Sequence, residues 1–409
     1  MLRTLEEAMA ALARLTNYER TRPDGPRAFD LRRVHALLAR LGSPERRLGA
    51  RVVQVAGTKG KGSTARDLDA IFRAAGLRTG RYLSPHLEDV RERIAVDGSP
   101  IGEADFARHV DRALAAADGA TTFFEALTAA ACLHFADAGT QAVVLEVGLG
   151  GRLDATTAVP TTHTVITEIS LDHTELLGGT PEAIAAEKAA TIRPGVPVFS
   201  GVDPATDAGR VIRDTALRHE APFHHVPPPA DARPDGHAVA WRGLRLPVLG
   251  RHQAHNAALA AAAAADLPWE TVARGLEAAR HPGCCELRRG VIVDGAHTVS
   301  SIRATVAAVA DHFPGAHPEL VFALAQDKDL DGIARELGPR VGGVWCTRAD
   351  TKRGRDPAAL AAHGAWTGRA AAEPDPARAL ACARAAAGGN GLVLVTGSLY
   401  LAGALRPLS

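Results

Sequence analysis

Residues 51–64 read R-V-V-Q-V-A-G-T-K-G-K-G-S-T, a short valine-rich run that breaks into a glycine-rich turn and then into a segment of helical period. After the turn, Leu68, Ile71 and Phe72 share one helical face, and Gly76 closes the segment. Strand, glycine turn and helix together suit an anion. The glycines let successive N–H groups converge on an oxyanion, the helix start adds partial positive charge, and Lys61 supplies a full one. Gly57, Thr58, Gly60, Lys61, Gly62, Ser63 and Thr64 are therefore candidate phosphate-binding residues. The spacing departs from a strict P-loop: the first glycine lies three residues before Gly60 rather than five, and Gly62 stands where a serine or threonine usually follows the lysine.

Outward from this stretch, short apolar runs alternate with longer segments of helical period. The runs fall at 51–56, 141–147, 164–169, 291–294, 320–325 and 391–396. Strands apolar on both faces lie inside a parallel sheet covered by helices, so the fold class is α/β. At 409 residues the chain exceeds what one core holds, roughly 250–300 residues, and two domains are expected. The segment 281–290, H-P-G-C-C-E-L-R-R-G, interrupts a helical pattern before a new strand and places the division at 1–283 and 284–409, the second part being the size of a small doubly wound domain. Residues 227–235, P-P-P-A-D-A-R-P-D, are too rich in proline for helix or ladder and are expected as a loop.

Composition excludes several classes. Hydrophobic residues make up 46% and charged residues 23%, which is globular composition. A net charge of +1 offers no footprint for nucleic acid or an anionic membrane. Five cysteines without C-x-x-C spacing argue against a disulfide framework or a zinc site and fit a reducing compartment. Residues 1–15 carry acids within their apolar pattern, which is an amphipathic helix rather than a signal peptide. The alanine-rich run after Asn256 is a packed helix, and no run of about 18 apolar residues exists. A soluble cytoplasmic protein is expected.

A second constellation follows at 145–154, L-E-V-G-L-G-G-R-L-D, with Glu146 near the end of an apolar strand and a glycine turn carrying Arg152 and Asp154. Ligands of open α/β sheets bind at strand C-terminal ends. A carboxylate there is costly alone and calls for a cation; Mg²⁺ accepts oxygen ligands and bridges to phosphates. The run 164–169 leads to S-L-D-H at 170–173, so His173 comes to the same edge, although a lone histidine is more often structural. Thr180-Pro181-Glu182 starts a helix carrying Lys188, which by itself suggests a solvated lysine.

Taken in order, these segments resemble the folylpolyglutamate synthase/dihydrofolate synthase family of the Mur ligase superfamily. The matching blocks are G-T-K-G-K-G-S (57–63), L-S-P-H-L (83–87) with E-R-I (92–94), F-F-E-A-L-T (123–128) and L-E-V-G-L-G-G-R-L-D-A-T (145–156). They continue with L-D-H-T-E-L-L-G (171–178), E-K-A (187–189), H-Q-A-H-N-A (252–257), D-G-A-H (294–297), D-K-D (327–329) and T-G-S-L-Y-L (396–401). The resemblance implies a P-loop NTPase-like parallel-sheet domain, then a smaller Rossmann-like α/β domain, with the active site between them. It implies an ATP-dependent ligase that makes an acyl phosphate on a folate- or pteroate-type carboxylate and couples it to L-glutamate, releasing ADP and phosphate.

By the same resemblance, Lys61 and the loop amides hold ATP phosphates, and Ser84, Glu146 and His173 ligate Mg²⁺. Lys188 is implied as a carbamylated lysine. Asn256, Asp294 and His297 face the nucleotide, and Asp327, Lys328, Asp329 and Ser398 lie toward the amino-acid pocket. The implied partners are small molecules, without nucleic acid or membrane, and the implied state is a monomer. Three positions depart from the family pattern: Lys59 where Asn is usual, Cys284 where a P-G-R segment places Arg, and Thr298-Val299 where Asn-Pro usually follows D-G-A-H. The departures leave two other functions open, a Mur-type amide ligase acting on a non-folate acid or amine, and a catalytically inactive nucleotide-binding homologue.

Overall fold

In the computed structural model the valine-rich run forms strand β1 (Arg51–Ala56), and the segment after the glycine turn forms the helix Lys61–Ala74. Residues 2–19, 29–350, 353–389 and 391–409 are described. The strands that follow in the first half of the chain are β2 (Thr79–Tyr82), β3 (Ile94–Val96), β4 (Ser99–Pro100), β5 (Ala142–Glu146), β6 (His163–Ile166), β7 (Val198–Ser200) and β8 (Phe223–His225). Among the described residues they make one sheet in the order β4-β3-β2-β5-β1-β6-β7-β8. From β2 to β8 every pairing is parallel, while β3 and β4 extend the edge in antiparallel fashion.

Chain order explains why this sheet makes a site. The chain leaves β1, forms β2 one place beyond its neighbour, fills the gap with β5, and then crosses to β6 on the other side of β1. Opposite crossovers part the loops at β1, and ligands bind at such switch points. The register sets Val55 beside Glu146 and Ala56 beside Ile166, so the turns after β5, β1 and β6 emerge together at one edge. Both central strands are almost wholly buried, which is why their sequences show no alternation.

Asp69, in the middle of the helix Lys61–Ala74, is fully buried. It accepts from Thr79 Oγ1 (2.8 Å) and Arg81 Nη1 (2.8 Å), tying the helix to β2. At the N-terminus the expected amphipathic helix is Leu5–Leu12, capped by Thr4 in a reciprocal box with Glu7. The helix Pro181–Ala189 starts as its sequence predicts, Thr180 accepting from Ala183 N ahead of the proline.

The chain forms two compact units, Met1–Pro228 with His255–Ala278, and Pro229–Ala254 with Ala279–Ser409. Residues 229–254 and 279–283 thus fall with the second unit, not with the domain expected over 1–283. The cause is a small antiparallel sheet, β9 (Arg233–Asp235), β10 (Ala238–Trp241) and β11 (Leu244–Leu246), which the sequence pattern did not suggest. His312 fastens it: Nδ1 meets Gly236 O at 2.7 Å, and Nε2 accepts from Gly250 N at 3.1 Å. The proline-rich stretch is therefore not all loop. Pro234 sits in β9 opposite Val239, tolerated because β9 is an edge strand whose outer side needs no donor.

The main sheet of the second unit comprises β12 (Glu286–Arg288), β13 (Val291–Val293), β14 (Glu319–Phe322), β15 (Val344–Cys346), β16 (Ala370–Ala372) and β17 (Val393–Thr396). Its order is β12-β13-β17-β14-β15-β16, parallel except for β12. Again a late strand, β17, fills the gap between β13 and β14. The segments after these three strands carry Asp294 to His297, Ser398 and 327–329, so they share one edge. Both units are α/β with largely parallel sheets, as expected. No helix among the described residues is long and apolar enough to cross a membrane.

Candidate active site

The glycine turn after β1 is held by the turn after β6. Thr58 N donates to Glu168 O (2.6 Å), Thr58 Oγ1 donates to Ser170 O (3.1 Å) and accepts from Ser170 N (3.2 Å), and Thr167 Oγ1 donates to Lys59 O (2.6 Å). Two glycines are required. Gly57 has φ +143°, and a Cβ there would overlap Thr167 Oγ1. Gly60 caps the helix Lys61–Ala74 at φ +84°, and a Cβ there would strike Asn256 Oδ1. Asn256 on the helix Arg251–Ala263 therefore packs against the turn, and Thr64 Oγ1 approaches its carbonyl at 3.5 Å. Ser63 and Thr64 are buried in the first helical turn.

Lys61 opens the helix, its Nζ 3.3 Å from Thr58 O. Burial pushes its ammonium below the ordinary lysine range, opposed by the charge of Glu146. Glu146, at the end of β5 and buried, is pushed up by desolvation and drawn back by Lys61 and by the Ser84 N–H, which donates to Oε2 at 3.1 Å. The hydroxyl of Ser84 is buried and has no hydrogen-bond partner among the described residues. At Gly62 a Cβ would stand 3.5 Å from Glu146 Oε2, so the carboxylate comes up against the first turn of the helix.

The turn after β5 is organised by Asp154. Buried, it accepts from Gly148 N, Leu149 N and Thr156 N (3.0 Å each) and from Thr156 Oγ1 (2.5 Å). Its role is to shape the loop. Gly151 lies against the helix Pro181–Ala189, where a Cβ would meet Lys188 Cα at 3.0 Å, and Arg152 pairs with Glu187 at 2.8 Å. This contact covers Lys188, leaving it 4% exposed, so it is not the solvated lysine its sequence suggests. Burial, then the nearby charge of Lys61, brings its ammonium down to about 7.

His173 behaves differently. It takes φ +50° at the start of the short helix Thr174–Leu177, its ring is half-exposed, and Nε2 lies 3.8 Å from Asp172 Oδ1. Asp172 Oδ2 accepts from Lys59 Nζ at 2.9 Å. The lysine that departs from the family pattern is therefore committed to a carboxylate in the next loop. Ser170 and Asp172 stood within the S-L-D-H segment of the sequence but were given no role there, and the added charge at Lys59 hinted at a carboxylate partner.

In the second unit, Asp294 is buried, and its oxygens take Cys285 N (2.7 Å), Ala296 N (2.9 Å) and Thr305 Oγ1 (2.8 Å). His297 Nδ1 meets Gly295 O at 2.8 Å. Thr298 caps the helix Val299–His312 in a reciprocal box with Ser301. Asp329 and Ser398 are also N-caps, of the helices Leu330–Leu337 and Leu399–Leu405. Asp327 gathers cations, Lys328 Nζ at 3.6 Å and Arg353 Nη2 at 3.5 Å.

Residues 55–194 match the family model of the Mur ligase middle domain, and residues 285–399 that of the Mur ligase glutamate ligase domain. The architecture is that of a Mur ligase. A Mycobacterium tuberculosis folylpolyglutamate synthase, solved with ADP and AMPPCP, superposes with a TM-score of 0.87 at 31% identity, covering 99% of this chain and 98% of that one. A Bacillus subtilis dihydrofolate synthase/folylpolyglutamate synthase is 33% identical over 92% of this chain and 94% of its own length. The chain belongs to the folylpolyglutamate synthase/dihydrofolate synthase family. A probable bifunctional folylpolyglutamate synthase/dihydropteroate synthase of Haloferax volcanii is 37% identical over 92% of the chain, which spans about half the length of that relative.

Proposed function

We propose that this chain is an ATP-dependent ligase that joins a folate- or pteroate-type carboxylate to L-glutamate, with ADP and phosphate as products. The observation that carries the proposal is the convergence of the glycine turn with Lys61, the buried carboxylate of Glu146 and the buried hydroxyl of Ser84 at one sheet edge. The turn's N–H groups and Lys61 would cradle ATP phosphates. Asn256, Asp294 and His297 are proposed on the nucleotide, and Asp327, Lys328, Asp329 and Ser398 toward glutamate.

A divalent cation fits the donors present. Ser84 Oγ lacks a partner and Glu146 has a single N–H donor among the described residues, so oxygen ligands are available, with His173 proposed beside them. Mg²⁺ takes few protein ligands and completes its shell with substrate phosphates and water, which these donors would allow. Bound there, Mg²⁺ would screen the γ-phosphate from the incoming carboxylate.

Lys61 would neutralise charge on the phosphoryl group as the acid's carboxylate oxygen bonds to phosphorus and the bond to ADP breaks. Glutamate's free amine would then attack the acyl phosphate, forming the C–N bond, losing a proton and expelling phosphate. Lys188, brought down to about 7 by burial, is in part an uncharged amine at neutral pH. That amine is able to bond to CO₂ with loss of a proton, and we propose the resulting carbamate as an added carboxylate of the site.

The test is phosphate release from Mg-ATP and glutamate with dihydropteroate, tetrahydrofolate or no acid. Release with a pterin acid that is lost in Lys61→Ala and Glu146→Ala is the expected outcome and identifies the step served. ATP binding without release under any condition would refute the proposal.

A further inference from the structure

We propose that Lys59 and Asp172 form a positioning pair that holds His173 at the phosphate loop; this rests on the ligase function above and deepens it. Lys59 lies within the loop, where an ammonium would ordinarily be available to phosphate. Instead Nζ stands 2.9 Å from Asp172 Oδ2, with the two side chains 22% and 14% exposed. The other oxygen, Oδ1, accepts from His173 N at 3.1 Å and lies 3.8 Å from His173 Nε2. One carboxylate thus spans the phosphate loop and the imidazole.

The geometry of His173 shows why such a partner is needed. Its backbone is left-handed, a conformation few non-glycine residues keep without local support, and Asp172 Oδ1 satisfies its N–H there. Its ring is 51% exposed, so packing alone does not set its direction. At 3.8 Å the carboxylate acts on the ring through charge rather than through a hydrogen bond, and a carboxylate beside a metal-ligating histidine biases the ring's orientation.

The pair is separable from the folding of the loops. Three further ties join the same segments: Thr58 N to Glu168 O, the two-way bond between Thr58 and Ser170, and Thr167 Oγ1 to Lys59 O. Removing the ammonium leaves the backbone joined and takes away only the side-chain link from Lys59 to Asp172.

The experiment compares the full chain with Lys59→Met, Asp172→Asn, the double variant and Lys59→Arg. Mn²⁺ binding with AMPPNP is followed by electron paramagnetic resonance, and ADP binding without metal by calorimetry. Each single variant is expected to weaken Mn²⁺ binding by about tenfold, as loss of such partners does elsewhere. The double variant should lose no more than either single one, since both break the same link. Lys59→Arg should keep parental Mn²⁺ affinity, and metal-free ADP affinity should be unchanged throughout.

Unchanged Mn²⁺ affinity in Lys59→Met, or losses that add in the double variant, would overturn the inference. So would weaker metal-free ADP binding in Lys59→Met but not in Asp172→Asn, because Lys59 would then be a phosphate ligand. A parent chain that binds no Mn²⁺ with AMPPNP would instead refute the ligase function, and the inference with it.

Discussion

Replacing Lys188 by methionine should stabilise the fold while stopping turnover. The folded chain holds this ammonium at about 7, against 10.5 in the open, because burial denies it water. The sign follows from proton uptake. Between about pH 7 and 10.5 the unfolded chain binds more protons, so stability rises with pH across that window, and the penalty is full below it. At about 1.4 kcal/mol per pH unit, the penalty at pH 7 is at most about 4 kcal/mol, and it shrinks to about 1.5 kcal/mol at pH 9.5. Methionine fills similar space without charge, so Lys188→Met should gain up to these amounts. Urea denaturation of both chains at the two pH values measures the gap, in CO₂-free buffer so that no carbamate changes the comparison. A variant no more stable at pH 7, or a gap that fails to narrow at pH 9.5, would refute the reasoning, as would phosphate release at the parental rate.

Gly60→Ala should cost about 2–3 kcal/mol, combining left-handed strain with the eviction of the Asn256 side chain. Adding Asn256→Ala should recover the steric part and leave about 1 kcal/mol, measured by the same denaturation. Asp69→Ala strands the buried guanidinium of Arg81 and should cost about 3–5 kcal/mol, seen as a lower urea midpoint. His109, fully buried, has its imidazole pushed down to about 4 by desolvation and then by His134 and Arg108. Stability should therefore fall as pH drops from about 6.5 toward 4, and His109→Leu should flatten that part of the Tm–pH curve.

Local chemistry was legible along the chain wherever neighbours in sequence are neighbours in space. The valine run, the glycine turn and the helix face at Leu68, Ile71 and Phe72 specify β1, the anion turn and the helix Lys61–Ala74 without outside help. Thr180-Pro181 likewise specified a helix start. The short strands β9 to β11 were not legible, because three or four residues carry too little periodicity and proline pointed the other way.

The order of residues along the chain is enough to specify the α/β class, the phosphate turn and the residue types able to serve it. Which of them meet, and in what environment, was set by the folded arrangement. Lys59 and Asp172 lie 113 residues apart and touch because β6 is laid beside β1. Lys188 looks solvated in sequence, and becomes a buried amine because the glycine turn after β5 packs onto its helix at Gly151. The physical reason is common to both: charge and protonation depend on distance to other groups and on exclusion of water, and neither quantity exists until the crossovers of the sheet bring distant loops to one edge.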